Sequence, residues 1–104
     1  MSAYFIVRAQ VVEGAVKNDF DRWYREEHLS EALKAFKAKS AYRGWSRIDT
    51  SVHYAFYEFA DIASASAILG SGELKRLAAD FTRLWGDKVL RTRDVVEAIQ
   101  SIGH

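Results

Sequence analysis

Residues 3–12 alternate. Phe5, Val7, Ala9 and Val11 fall on one side of an extended chain, and Tyr4, Ile6, Arg8 and Gln10 on the other, which marks a strand with one dry face and one mixed face. After Glu13 and Gly14 the period changes to that of a helix. Asn18 is placed to cap it, with Asp19 and Asp21 in a first turn that favours acids. At 100° per residue Phe20, Tyr24, His28 and Ala35 cluster, and Leu29, Ala32, Leu33 and Phe36 extend the arc. So wide an arc predicts a helix packed on two sides, or one that turns near residues 28–30 with Ser30 capping a second piece.

YRGWSRID and VHYAFYEFA, joined through Thr50 and Ser51, read as a hairpin. The second strand is apolar on both faces, Val52, Tyr54 and Phe56 against Ala55, Tyr57 and Phe59, so both must be covered. Asp61 caps a short helix carrying Ile62, Ala65 and Leu69, which ends at Gly70-Ser71-Gly72. Leu74, Leu77, Ala78, Phe81, Leu84 and Trp85 then repeat at helical spacing until Gly86 stops the run. DKVLRTRDVVEAI is the last strand, and the residues after it read as a frayed end or a dimer arm.

The order strand, helix, strand, strand, helix, strand predicts an α+β, ferredoxin-like βαββαβ domain spanning residues 1–104. Its four-stranded antiparallel sheet has strands one and three at the centre and both helices on one face. The other face then carries aromatic and aliphatic side chains with nothing in the chain to cover them. Such a patch exceeds what soluble monomers tolerate, and pairing of two copies sheet to sheet closes it.

Composition narrows the function classes. Fifteen basic and 14 acidic residues are interspersed, for a net charge of +1, so the basic footprint of a nucleic-acid binder is missing. No apolar run reaches the length of a membrane span, and no secretory leader is recognisable. There is no cysteine, which removes disulfides, thiolate nucleophiles and cysteine-held metals. A cytoplasmic location is the default expectation. The three histidines, His28, His53 and His104, lack the spacing of a zinc site. Gly70-Ser71-Gly72 follows a helix and opens no phosphate-binding loop. The expectation is therefore neither a metal nor a cofactor.

The chain resembles the dimeric α/β-barrel superfamily over essentially its whole length. The residues that carry the likeness are YFIVRAQVV, WYREEHLSEAL, GWSRID, YAFYEFAD and LKRLAADFTRLWGDKV. Within that superfamily it is most similar to the EthD-like and REDY-like (HapK-type) groups. L-rhamnose mutarotases share a Tyr-x-x-x-His on the first helix, here YREEH, but their Pro-Ile-Trp-Pro-Glu and paired-tryptophan segments are replaced by LSEAL and FTRLW. The resemblance implies a pocket between helices and sheet. Members use it as cyclases, isomerases, mutarotases or cofactor-independent oxygenases of aromatic and polyketide-like substrates, and some bind haem.

His28, one turn from Tyr24, is the candidate general acid/base, since imidazole moves protons near neutral pH. Tyr24 would orient a carbonyl or hold the ring in one tautomer. A helix ending near residue 28 would raise the histidine's pKa through its dipole. The competing reading makes both residues plain core. Trp23, 100° round the helix from Tyr24, cannot face the same cavity squarely. Tyr24, Tyr4, Arg8, Tyr54, Phe81 and Trp85 are the candidate substrate-binding set. Arg8 requires a carboxylate or an anionic substrate group as partner. Tyr54 and Tyr57 point to opposite faces, so a single pocket takes only one of them. Trp45, alternating with Arg43 and Arg47, suits an edge strand or dimer rim. His53 is expected to be solvated or at an interface, and Arg91 and Arg93 to pair with acids across the sheet or interface. The leading expectation is a homodimer that isomerises, cyclises or condenses a small carbonyl or aromatic compound without a cofactor. A ligand-binding accessory protein without turnover stands beside it, as does haem or oxygen chemistry.

Overall fold

The computed structural model describes residues 1–103. β1 (Ala3–Val11), β2 (Ser40–Trp45), β3 (Val52–Phe59) and β4 (Val89–Glu97) form one antiparallel sheet in the order β2-β3-β1-β4. The two central strands are the two richest in apolar residues. Period-two burial along β1 sends Phe5, Val7, Ala9 and Val11 to the helical face. The register Val7↔Ala55, Phe5↔Tyr57 and Ala3↔Phe59 lays the inward side chains of β1 and β3 side by side. α1 (Lys17–Trp23), α2 (Leu29–Phe36), α3 (Ile62–Ala67) and α4 (Gly72–Trp85) cover that face. Between helices and sheet lies one core that includes Phe5, Phe20, Phe36, Tyr57, Leu77 and Phe81. No described helix is long and apolar enough to cross a membrane.

Several local expectations meet a different outcome. Asn18 does not cap the first helix: a short 3₁₀ turn, Gly14–Val16, leads straight into α1, and Asn18 lies inside it. Nor does the helix break at Ser30. Tyr24–His28 form a single π-helical turn that joins α1 to α2 without interruption. A π turn absorbs one extra residue and rotates the next stretch of helix about its axis, which lets one continuous helix bury the wide arc of apolar residues. α2 ends on Lys37, a non-glycine residue at φ 54°, whose N–H and that of Ala38 satisfy carbonyls of the last turn.

The second half agrees with expectation more closely. The Asp61 carboxylate accepts the Ser64 N–H, and the Ser71 hydroxyl accepts the Leu74 N–H, each capping a helix. Gly86 ends α4 at φ +53° and ψ −129°, a conformation essentially confined to glycine. Leu69 and Leu84, expected on inner faces, are exposed: Leu69 falls in the 3₁₀ turn Ile68–Gly70 after α3, where Ile68 is the buried residue, and α4 buries Leu74, Leu77, Phe81 and Trp85 instead. After β4 the chain runs without regular structure and exposes Ile99 and Ile102. His104 lies outside the described residues.

The second sheet face is bare. Tyr42 stacks on Phe56 at 5.1 Å, and Phe56 on Tyr54 at 6.0 Å. Tyr42, Leu90 and Val96 are 50%, 55% and 41% exposed.

Candidate functional site

The expected site residues divide between the two faces of the sheet. Tyr4, Arg8 and Tyr54 stand on the open face, where Ile6, Arg8, Tyr54, Phe56, Thr92 and Asp94 help to line a groove of about 340 Å³. Strand periodicity puts them there, a full sheet thickness away from the helices. Arg8 makes no ion pair within 4 Å among the described residues. Tyr24, His28, Phe81 and Trp85 lie on the opposite, helical face and are buried.

On that helical face Tyr24, His28 and Phe81 converge on a small cavity of about 20 Å³ with Phe5, Phe36, Tyr57 and Leu77 in its walls. That space holds about one water molecule. The Tyr24 and His28 rings meet edge to face at 4.8 Å. Tyr57 arrives from β3, and its hydroxyl neighbours that of Tyr24. Of the two tyrosines that strand alternation separates, Tyr57 is therefore the one in this cavity. Trp85 packs on Phe20 and Trp23 instead, at 5.2 and 5.5 Å, and its buried indole N–H has no partner. Trp23 covers His28 from outside the cavity, with ring centroids 4.2 Å apart.

Burial sets the electrostatics. It lowers the His28 pKa to about 4, with the Arg91 charge adding to the effect and Asp80 opposing it. The expected rise from a helix C-terminus does not occur, because the π turn carries the helix on to Phe36 and leaves His28 mid-helix. The imidazole is neutral at pH 7, and its Nδ1 is buried without a hydrogen-bond partner among the described residues. Burial likewise pushes Tyr24 up to about 12, against the opposing effects of the Tyr57 hydroxyl and the arginines, and raises Tyr57 well above the ordinary tyrosine value. The cavity thus presents one neutral imidazole and two protonated phenols. That set can take up a proton and donate hydrogen bonds to a developing oxyanion.

His53 is buried rather than solvated, at 0% exposure. It shares the parity of Ala55, Tyr57 and Phe59, which turns it under the helices, 4.4 Å from the Tyr24 ring and 5.5 Å from Phe20. Arg43 Nη1 lies 3.1 Å from His53 Nε2. A guanidinium only donates, so Nε2 accepts and the ring proton sits on Nδ1, which is buried and unpartnered. Burial, reinforced by the Arg43 charge and opposed by Asp21, lowers the His53 pKa to about 4. Arg43 and Trp45 do stand on an edge strand, but they face α1 and not a rim. Both donate to Asp21 Oδ1, at 2.9 and 2.8 Å. The Trp45 N–H, with the Arg43 guanidinium, holds Asp21 below the usual carboxylate range against the opposing effect of burial.

Arg91 also departs from expectation. No described carboxylate pairs with it or with Arg93 within 4 Å. The half-buried Arg91 guanidinium lies over the Phe81 ring at 4.3 Å, and both arginines border the Tyr24/His28 cavity. Sequence reasoning missed Asp21, Tyr57 and Arg91 as site components and misplaced His53. Period-two parity carried the signal for His53 and Tyr57, while Asp21 and Arg91 left none that adjacency in the chain could reveal.

No protein-family model and no curated protein sequence matches the chain. Solved structures do match its fold. An ethyl tert-butyl ether D (EthD) family protein from Bacillus halodurans superposes with a TM-score of 0.73 at 18% identity, covering 95% of this chain and 100% of that one. HapK from Hahella chejuensis gives 0.68 at 11% identity over 98% and 97% of the two chains. SnoaB, a cofactor-independent oxygenase from Streptomyces nogalater, gives 0.59 at 12% identity over 99% and 98%. At these identities the likeness is one of fold: the chain has a ferredoxin-like α+β fold, as those proteins do.

Proposed function

We propose that the cavity between helices and sheet binds a small, largely apolar carbonyl or aromatic compound, and that the protein isomerises, cyclises or condenses it without a cofactor. One observation carries this reading. A neutral imidazole with a nitrogen unpartnered among the described residues sits beside two phenols in a space walled mainly by apolar side chains, Phe5, Val7, Phe36, Leu77 and Phe81 among them, with Arg91 and Arg93 at its border. Apolar walls with a few convergent polar groups are the usual form of a ligand site.

In this scheme His28 takes a proton from the carbon next to a carbonyl. The C–H electron pair becomes the new C=C bond, and the carbonyl π pair moves to oxygen. Tyr24 or Tyr57 donates a hydrogen bond to the enolate formed. Protonated His28 then returns the proton to a different carbon, so that an isomerisation balances with no oxidant. A base of low proton affinity suits an acidified C–H, such as one between two carbonyls or next to a double bond, as polyketide-like compounds have. As it stands the cavity holds about one water, so a bound compound must displace wall side chains or extend into the adjoining groove over Leu74, Ala78 and Arg93. The low proton affinity of His28, away from the near-neutral value that serves proton transfer best, favours a second reading: a binding protein that holds such a compound without turning it over.

An aryl β,γ-unsaturated ketone separates the two, because its conversion to the conjugated ketone is read directly by ultraviolet absorbance. Acceleration that falls about 10²- to 10⁴-fold in His28→Ala, and less in Tyr24→Phe, supports the enzyme. Binding without acceleration supports the binding protein, and absence of both overturns the cavity assignment. We also propose that two copies pair through the open sheet face. Tyr4, Arg8 and Tyr54 would then lie at the interface, which accounts for the uncovered Tyr42–Phe56–Tyr54 stack.

A further inference from the structure

Arg91 is hard to explain as a structural residue. Its guanidinium carries five N–H donors, yet among the described residues its one hydrogen bond is a long contact from Nη2 to the Ala78 carbonyl, at 3.4 Å. It is half-buried between α4 and the sheet, where removing a charge from water costs free energy unless a counter-charge answers it. Asp80, whose charge reaches His28, is turned to Arg83 at 3.5 Å. Two residues along β4, on the same side of the strand, stands Arg93, whose charge acts on Arg91 without a carboxylate between them.

Arg93 also borders a second space. A surface groove of about 320 Å³ shares Leu74, Ala78 and Arg93 with the inner cavity and adds Lys75. Cations therefore border both the groove and the cavity, and one of them, Arg91, stands beside the imidazole and phenols.

We infer that the ligand of this cavity is a carboxylate: an aromatic or carbonyl-bearing acid whose carboxylate pairs with Arg91, with its apolar body directed toward His28 and Tyr24. A planar guanidinium lying against Phe81 keeps an edge of N–H groups for the two oxygens of a carboxylate, in the fork geometry that arginine favours. Arg93 and Lys75 at the groove attract the anion and turn its charged end. The inference rests on the cavity reading above and adds the ligand's charge.

A matched pair of probes tests it. 2-Naphthoate and methyl 2-naphthyl ketone have nearly the same shape and differ in charge, and their binding is followed by tryptophan fluorescence and by the NMR signals of the His28 ring. Naphthoate is expected to bind the wild-type chain at least about tenfold more tightly, the effect of one charge-assisted pair. Arg91→Gln should abolish the difference by weakening naphthoate alone, while Arg91→Lys, which keeps the charge, should retain part of it. Equal affinities in the wild type overturn the inference and leave the cavity reading standing. A preference that survives in Arg91→Gln also overturns it. If neither compound shifts the His28 signals, the inference and the cavity reading fall together.

Discussion

The Trp23 indole lies flat on the His28 imidazole, with ring centroids 4.2 Å apart and planes 18° from parallel. The two residues are five apart, which on a regular α-helix sets them on different faces. The π turn at Tyr24–His28 brings them into register. The indole thereby covers one face of the imidazole, and the Tyr24 ring meets it edge to face. π turns recur at functional sites, and here the turn keeps His28 both buried and next to the cavity.

Truncation of Trp23 should therefore uncover His28. In Trp23→Ala water reaches the ring, the desolvation that lowers its pKa is relieved, and the value rises from about 4 toward the ordinary 6.5. An NMR titration of the imidazole protons measures this directly. An unchanged value would mean that helix α4 and the sheet, not Trp23, keep the ring dry.

Both buried histidines predict a loss of stability on mild acidification. Their folded values of about 4 lie below the 6.5 of a free imidazole. Below pH 6.5 the unfolded chain takes up protons that the folded chain does not, so stability is greatest above pH 6.5 and falls as the pH drops toward 4. Each histidine accounts for roughly 3 kcal/mol over the full range. The carboxylates that the fold holds low, Asp21 among them, lose their contribution at lower pH still. Urea midpoints between pH 7.5 and 4.5 should fall steadily, and His28→Gln should remove about half of the slope. A flat midpoint contradicts the burial of these rings.

Asp21 joins Arg43 and Trp45 of β2 to α1 through one carboxylate oxygen. Asp21→Ala leaves the Trp45 N–H without its acceptor and Arg43 with His53 Nε2 alone, and removes the charge that partly offsets Arg43 beside His53. A destabilisation of about 1–3 kcal/mol is expected by chemical denaturation. In a double-mutant cycle with Arg43→Met the two losses should be less than additive.

Lys37 ends α2 in a left-handed conformation, φ 54° and ψ 39°, that costs a residue with a Cβ more than it costs glycine. Lys37→Gly should raise stability by about 0.5–1 kcal/mol, read as a higher melting temperature. No change, or a loss, would show that the Lys37 side chain offsets the backbone cost.

The open sheet face predicts self-association. Phe56→Glu sets a charge in the centre of the Tyr42–Phe56–Tyr54 stack, where a paired face would have to bury it. Sedimentation at micromolar concentration should show a dimer for the wild type and a monomer for the variant. A wild-type monomer removes the sheet-pairing proposal, while the fold stands unaffected.

Local periodicity was enough to read β1, β3, the hairpin and α4, because each buries one face and so writes its period into the chain. The Asp61 cap was legible for the same local reason. The π turn was not. Every residue from Tyr24 to His28 is compatible with a regular helix, and the extra residue is favoured only by what the helix must cover. His53 was within reach by strand parity, yet its place beside the turn suggested solvent. The α1 helix lies over that end of β3, and nothing near His53 in the chain announces it.

Sequence alone determined the order of the elements, the central strands and the pairing of Tyr24 with His28 on an inner face, since these arise from periods of two and 3.6 acting over a few residues. Tertiary structure decided the rest. It parted Tyr4, Arg8 and Tyr54 from His28 by the thickness of the sheet, lowered the histidine's proton affinity by burial and set beside it an Arg91 that no described carboxylate pairs. The physical reason is common to all three: charge, hydration and pocket membership depend on which groups meet across the core, and residues 24, 28, 57 and 91 meet only once the sheet has closed under its helices.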